Sequence, residues 1–165
     1  MAARRVWGGV GVGIAGLALG GALVVHEVRA SDHGLHAAAR GDSAACRRVV
    51  RGYPSGLAGL ERADVGVPGA AVWGDGAVTA RCGLEPPAAT TDACVNVDDV
   101  DWVWRPKAHD GRKVLVTYGR DPAVEIEISD RVTAVDDVLV ELSGAVRPLA
   151  PHARCIGEGD VPAIG

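Results

Sequence analysis

Four cysteines carry the most evident chemistry in this chain: Cys46, Cys82, Cys94 and Cys155. They stand 36, 12 and 61 residues apart and form no C-x-x-C pair. Structural zinc sites and dithiol redox motifs draw on closely spaced pairs, so this pattern serves neither. An even number of cysteines on the exported side of a membrane reads instead as a disulfide framework. Three connectivities are open. The first choice is Cys82–Cys94, which closes a loop containing Pro86 and Pro87 between strands expected to be neighbours. That choice leaves Cys46–Cys155 to tie the first helix to the C-terminal end.

Carboxylates are the next candidates. Glu125 and Glu127 lie on one face of an alternating strand, roughly 6.7 Å apart at about 3.3–3.4 Å per residue. Paired glycosidase acids have a similar spacing, but any polar strand face has this geometry, and solvent exposure is the expectation. Asp98, Asp99 and Asp101 lack the glycine and distal glutamate of a calcium loop and read as an acidic turn. His33 and His36 have helical spacing without further ligands, as solvated linker histidines would. Ser55 is not framed as G-x-S-x-G. Arg47, Arg48 and Arg51 read as a solvated helix face. No catalytic residue, metal or cofactor site is therefore expected. Arg81 and Arg120 each lie beside a turn and are the candidate recognition residues, since a guanidinium can hold a carboxylate or phosphate. The competing role is bonding to loop carbonyls.

The compartment is argued from the N-terminus. Arg4 and Arg5 precede an uncharged, apolar run from Val6 to Val25, long enough to span a bilayer and longer than the usual core of a cleaved signal. Two arginines before such a run hold the N-terminus on the cytoplasmic side. The expected arrangement is an uncleaved signal anchor with the rest of the chain outside the cell membrane. Secretion after cleavage near Ala30 is the alternative. Gly11-Val12-Gly13-Ile14-Ala15-Gly16 matches a dinucleotide fingerprint, but it sits within this run rather than between a strand and a helix. From Ser31 onward 14 Lys/Arg face 20 Asp/Glu, a balance that argues against nucleic-acid binding.

Positioning elements follow from periodicity and breakers. Residues 31–41 read as an exposed linker and 42–156 as one globular domain, with 157–165 as a tail. Asp42 or Ser43 can cap a helix that places Cys46, Val49 and Val50 on one face. Ala70–Trp73 and Ala77–Cys82 flank Gly74-Asp75-Gly76, a hairpin signal. Further strands are expected near Cys94, around Trp102 and Trp104, at Val114–Tyr118 and at Val124–Ile128. Thr133–Asp136 fits a capping box, and Val135, Val138, Leu139, Leu142 and Val146 keep helical spacing after it. The expected fold class is α+β: an antiparallel sheet of about five strands, packed by an N-terminal and a C-terminal helix. Two disulfides close it, and one N-terminal membrane helix precedes it.

A set of short motifs accompanies this pattern. Ala71-Val72-Trp73-Gly74, Arg81-Cys82-Gly83, Cys94 before a Trp-bearing strand, and Gly119-Arg120-Asp121-Pro122-Ala123-Val124-Glu125 follow an export segment and an early Cys46 helix. Together they resemble the bacterial domain of unknown function 3515 family over roughly Asp42–Cys155. The resemblance implies an exported, membrane-anchored or secreted protein of high-GC Gram-positive bacteria with disulfides, and it supplies no activity. The functional expectation is a non-enzymatic binding or accessory module whose partner is a cell-envelope protein or cell-wall component. A cell-wall hydrolase using Glu125, or a structural partner of another membrane protein, are the alternatives.

Overall fold

The computed structural model describes residues 34–105 and 111–156. The expected membrane span, His33 and the tail 157–165 lie outside them. Among the described residues no helix is long and apolar enough to cross a membrane.

Helix α1 (Ala44–Gly52) begins where the Ser43 hydroxyl accepts from the Cys46 amide, and it buries Cys46 and Val49. Eight strands follow: β1 (Gly56–Leu57), β2 (Leu60–Ala63), β3 (Ala70–Trp73), β4 (Val78–Leu84), β5 (Cys94–Val97), β6 (Val100–Trp104), β7 (Arg112–Thr117) and β8 (Ala123–Ser129). Helix α2 (Val135–Val146) closes the order. The strands form one sheet, β1-β2-β3-β4-β8-β7-β6-β5, antiparallel at every pairing.

The sheet is thus larger than the five strands expected. The β1–β2 hairpin accounts for most of the surplus. Ala58 and Gly59 turn it with positive φ at both positions, a tight-hairpin geometry that an Ala-Gly step does not announce. Asp98 and Asp99 turn the β5–β6 hairpin in the same way, whereas Asp101, expected in that acidic turn, is a buried residue of β6 paired with Asn96. Helix α2 forms over the expected residues without the Thr133 cap, since Ala134 holds the N-cap position and no side chain bonds there.

The inner sheet face carries Ala71 and Trp73, Val78 and Ala80, Trp102, Leu115, and Val124, Ile126 and Ile128. These side chains meet Cys46 and Val49 of α1 and Val138, Leu142 and Val146 of α2. Both buried tryptophans satisfy their indole N–H groups: Trp73 donates to the Pro54 carbonyl at 3.0 Å and Trp102 to the Ser143 hydroxyl at 2.9 Å. Helix α2 touches both β1 and β5, so the sheet curls until its two edges flank one helix, as the accumulated twist of many strands allows. On the outer face Val65, Ala70 and Val72 form a smaller cluster, joined by Leu35 and Val67. Residues 34–41 are therefore not a free linker throughout. Arg40 bonds to the Gly83 and Leu84 carbonyls and pairs with Asp121.

Strand order also corrects the disulfides. Cys82 lies on β4 and Cys94 on β5, with β8, β7 and β6 between them. At about 4.8 Å per strand the two are roughly 19 Å apart, far beyond the reach of a disulfide. The observed pairs are Cys46–Cys82, with Cα atoms 5.5 Å apart, and Cys94–Cys155, at 6.5 Å. The first pins α1 onto the inner face of β4, and the second ties the C-terminal segment to the edge strand. Each loop is worth about 4 kcal/mol on a chain-entropy estimate.

Two outcomes follow. Non-reducing peptide mapping should recover Cys46–Cys82 and Cys94–Cys155. On titration with dithiothreitol Cys94–Cys155 should open first, because Cys46 and Cys82 are fully buried while Cys94 is exposed. Tyr53 packs edge-on against Trp73, and its buried hydroxyl has no hydrogen-bond partner among the described residues. Burial pushes its phenol well above the ordinary range, with Arg62 opposing. Tyr53→Phe should leave thermal stability unchanged or raise it by about 1 kcal/mol, since no hydrogen bond is lost.

Candidate functional site

The two arginines singled out from sequence have structural tasks. Arg81 stands opposite Glu125 across β4 and β8 and holds its carboxylate at 2.5 Å. Arg112 holds Glu127 at 3.1 Å. Glu125 and Glu127, expected to be solvent-exposed, are instead mostly covered, with side chains 15% and 22% exposed. They form alternating cross-strand ion pairs with the arginines, a stabilising arrangement on a sheet face. Neither is a free acid.

Arg120 is 2% exposed. Its guanidinium donates to the carbonyls of Arg147 (3.3 Å) and Leu149, at and just beyond the end of α2, and to that of Asp99 (2.5 Å) in the β5–β6 turn. Burial pulls this guanidinium below its ordinary pKa, opposed by Asp101 and Asp99 and reinforced by Arg154. Such a side chain is not presented to a ligand, and the expected recognition role gives way to carbonyl bonding. Gly119 beside it has a positive φ, and a Cβ there would strike the Ala153 carbonyl. Gly83, next to Cys82, is likewise pressed against the Arg40 and Gly41 backbone.

The uncommitted polar groups lie elsewhere. On the outer face of β5 and β6 a cleft of about 490 Å³ has Asp101 and Val103 on its floor. Residues 89–92 form one wall, Arg154, Cys155 and Ile156 another, and Tyr118 stands at the end. Asp101 is 8% exposed and accepts from the Asn96 amide at 2.7 Å and from the Cys155 backbone N–H at 2.9 Å. Asp92 is held by Arg105 at 3.1 Å. Arg154 is exposed and makes no ion pair with a described residue. Cys94, Asp101 and Cys155 bring potential ligand atoms within 4.8 Å of one another, but both sulfurs are spent in the disulfide.

A second groove, of about 510 Å³, lies between α1 and the β2–β3 connection and is lined by Arg47, Arg51 and Arg62. Arg62 donates through Nη1 to the Val50 and Tyr53 carbonyls, and Arg47 donates to that of Asp42. The cleft is the better candidate. Sequence reasoning missed it because Thr91, Asn96, Tyr118 and Arg154 come from four separate segments and share no motif.

Arg120→Ala should cost about 3–5 kcal/mol in urea unfolding, because it orphans three carbonyls. Arg154→Ala should change stability by less than about 0.5 kcal/mol, as for an unpaired surface residue.

Neither the curated proteins nor the solved structures contain a match to this chain. The model of a family described as protein of unknown function (DUF3515) matches residues 12–155. That span includes both disulfides, the Arg81–Glu125 pair and the Arg120 bonds. It begins upstream of Asp42, inside the apolar N-terminal run. The chain belongs to the DUF3515 family.

Proposed function

We propose that this is a membrane-tethered binding module of the cell envelope, without enzymatic activity of its own, and that the cleft over β5 and β6 is its recognition surface. The observation that carries the reading is Arg154, without an ion-pair partner among the described residues, at the rim of a cleft whose other charges, Asp92 and Asp101, are already bonded. A cation left free beside a preformed concavity is available to a ligand, and the few polar groups around it can set orientation. Two disulfides suit an oxidising, extracytoplasmic location. The Arg4-Arg5 pair and the apolar run after it support tethering.

A hydrolase based on Glu125 is less well supported, because that carboxylate is bound to Arg81 and does not line the cleft. A purely structural apolar interface has little to draw on. Val95, Val140 and Ile156 are the exposed large hydrophobic side chains among the described residues.

The reading is tested in intact cells expressing the full chain with a photo-crosslinking residue at Thr91 or, as control, at Arg48. An envelope protein should be captured from position 91 and not from position 48. The chain should also stay with the membrane on alkaline carbonate extraction. Adducts to glycan alone would replace the protein-binding reading, and release by carbonate would remove the tether.

A further inference from the structure

The sheet ends on β5, and among the described residues that edge is open. Trp104 N–H donates to the Ala93 carbonyl at 2.8 Å, and the register places Cys94 opposite Val103 and Asn96 opposite Asp101. In an antiparallel ladder, hydrogen-bonded and non-hydrogen-bonded pairs alternate. Ala93, Val95 and Val97 therefore bond inward to β6, while Cys94 and Asn96 turn their N–H and C=O groups to the outside. Among the described residues neither amide has a partner. Cys94, Val95 and Asn96 are exposed, Val95 at 43%, and Val97 is half-buried.

Natural sheets guard such edges with charges, prolines, bulges or extreme shortness. The opposite edge follows that rule, because β1 has only two residues. The β5 sequence Cys-Val-Asn-Val contains neither charge nor proline. Its Cys94 and Asn96 side chains stand on the outer face and line the cleft with Arg154. Among the described residues an unguarded strand edge and a cleft with an unpaired cation thus adjoin each other.

We propose that β5 accepts an extended polypeptide segment of a partner protein as a ninth strand, with a carboxylate of that segment meeting Arg154 over the cleft. The inference rests on the cleft being the recognition surface and names the class of partner. Backbone bonds to Cys94 and Asn96 supply sequence-independent affinity, and alternate side chains of the added strand enter the cleft, the division of labour of strand addition. Charge decides the occupant. Arg154 favours an acidic side chain within the added strand, and the Cys94–Val97 strand of a second copy carries none, its acids Asp92, Asp98 and Asp99 lying outside the paired residues.

The test uses the ¹⁵N-labelled full chain in nanodiscs of zwitterionic lipid, with amide hydrogen exchange read at Cys94 and Asn96. The probes are two synthetic octapeptides of alternating Thr and Val with blocked ends, one carrying a central Glu and the other a central Lys. Both amides should exchange rapidly in the free chain. The Glu peptide should slow them by about tenfold or more, and the Lys peptide should have a much smaller effect. Arg154→Glu, an exposed position away from the core, should reverse that preference.

Edge amides already protected in the free monomer would overturn the proposal, as would equal protection by the two peptides. Protection that rises with protein concentration alone, together with a dimer in light scattering, would make a second copy the occupant and also overturn it. Failure here is separable from failure of the cleft reading. Cross-links from Thr91 with unprotected edge amides would leave the cleft standing and remove strand addition. Protected edge amides without Thr91 cross-links would leave the β5 edge as a backbone contact and remove the cleft, and with it the Arg154 contact, from the proposal.

Discussion

One guanidinium holds three separate parts of this fold in place. Arg120, in the connection between β7 and β8, reaches carbonyls at the C-terminal end of α2 and in the turn of the β5–β6 hairpin. The last carbonyls of a helix have no partner within it, and a two-residue turn also leaves carbonyls unpaired. A buried planar cation with five donors can serve both at once. Its neighbours extend the junction. Gly119 lets the segment after α2 pass against the backbone, the Gly119 carbonyl accepts from His152 N–H, and Asp121 pairs with Arg40 before α1. Three consecutive residues, Gly119, Arg120 and Asp121, thus join the beginning, middle and end of the described chain.

The disulfides work with this junction. Cys46–Cys82 locks α1 onto β4 within the core, while Cys94–Cys155 draws the C-terminal segment across the outer face to the edge strand. The second link, together with the Cys155 N–H bond to Asp101, makes one wall of the cleft. The concavity is therefore a product of the crosslink, and the residues left free in it are those not needed to hold the wall.

This division accounts for the functional silence of the prominent motifs. Arg-Cys-Gly supplies an ion pair, a disulfide and a close backbone approach; Gly-Arg-Asp-Pro supplies the junction. Residues this heavily committed hold shape. The surface that carries the proposed binding is built from Asn96, Thr91, Tyr118 and Arg154, which no motif marks.

Much of the framework was legible in the sequence, because periodicity is a local property. The alternation of Val124, Ile126 and Ile128 with Glu125 and Glu127, the spacing of Val138, Leu139 and Leu142, and the Asp-Gly step near Trp73 each report an element through its own residues. By itself the sequence determined an α+β domain, an even set of cysteines and the family. Tertiary structure decided which cysteines meet, because strand order places β8 between β4 and β7 and no local pattern encodes that insertion. It also decided that Arg120 is buried, that Glu125 is paired and that β5 is an edge. Each depends on what a long-range contact brings alongside, and spacing along the chain carries no information about that.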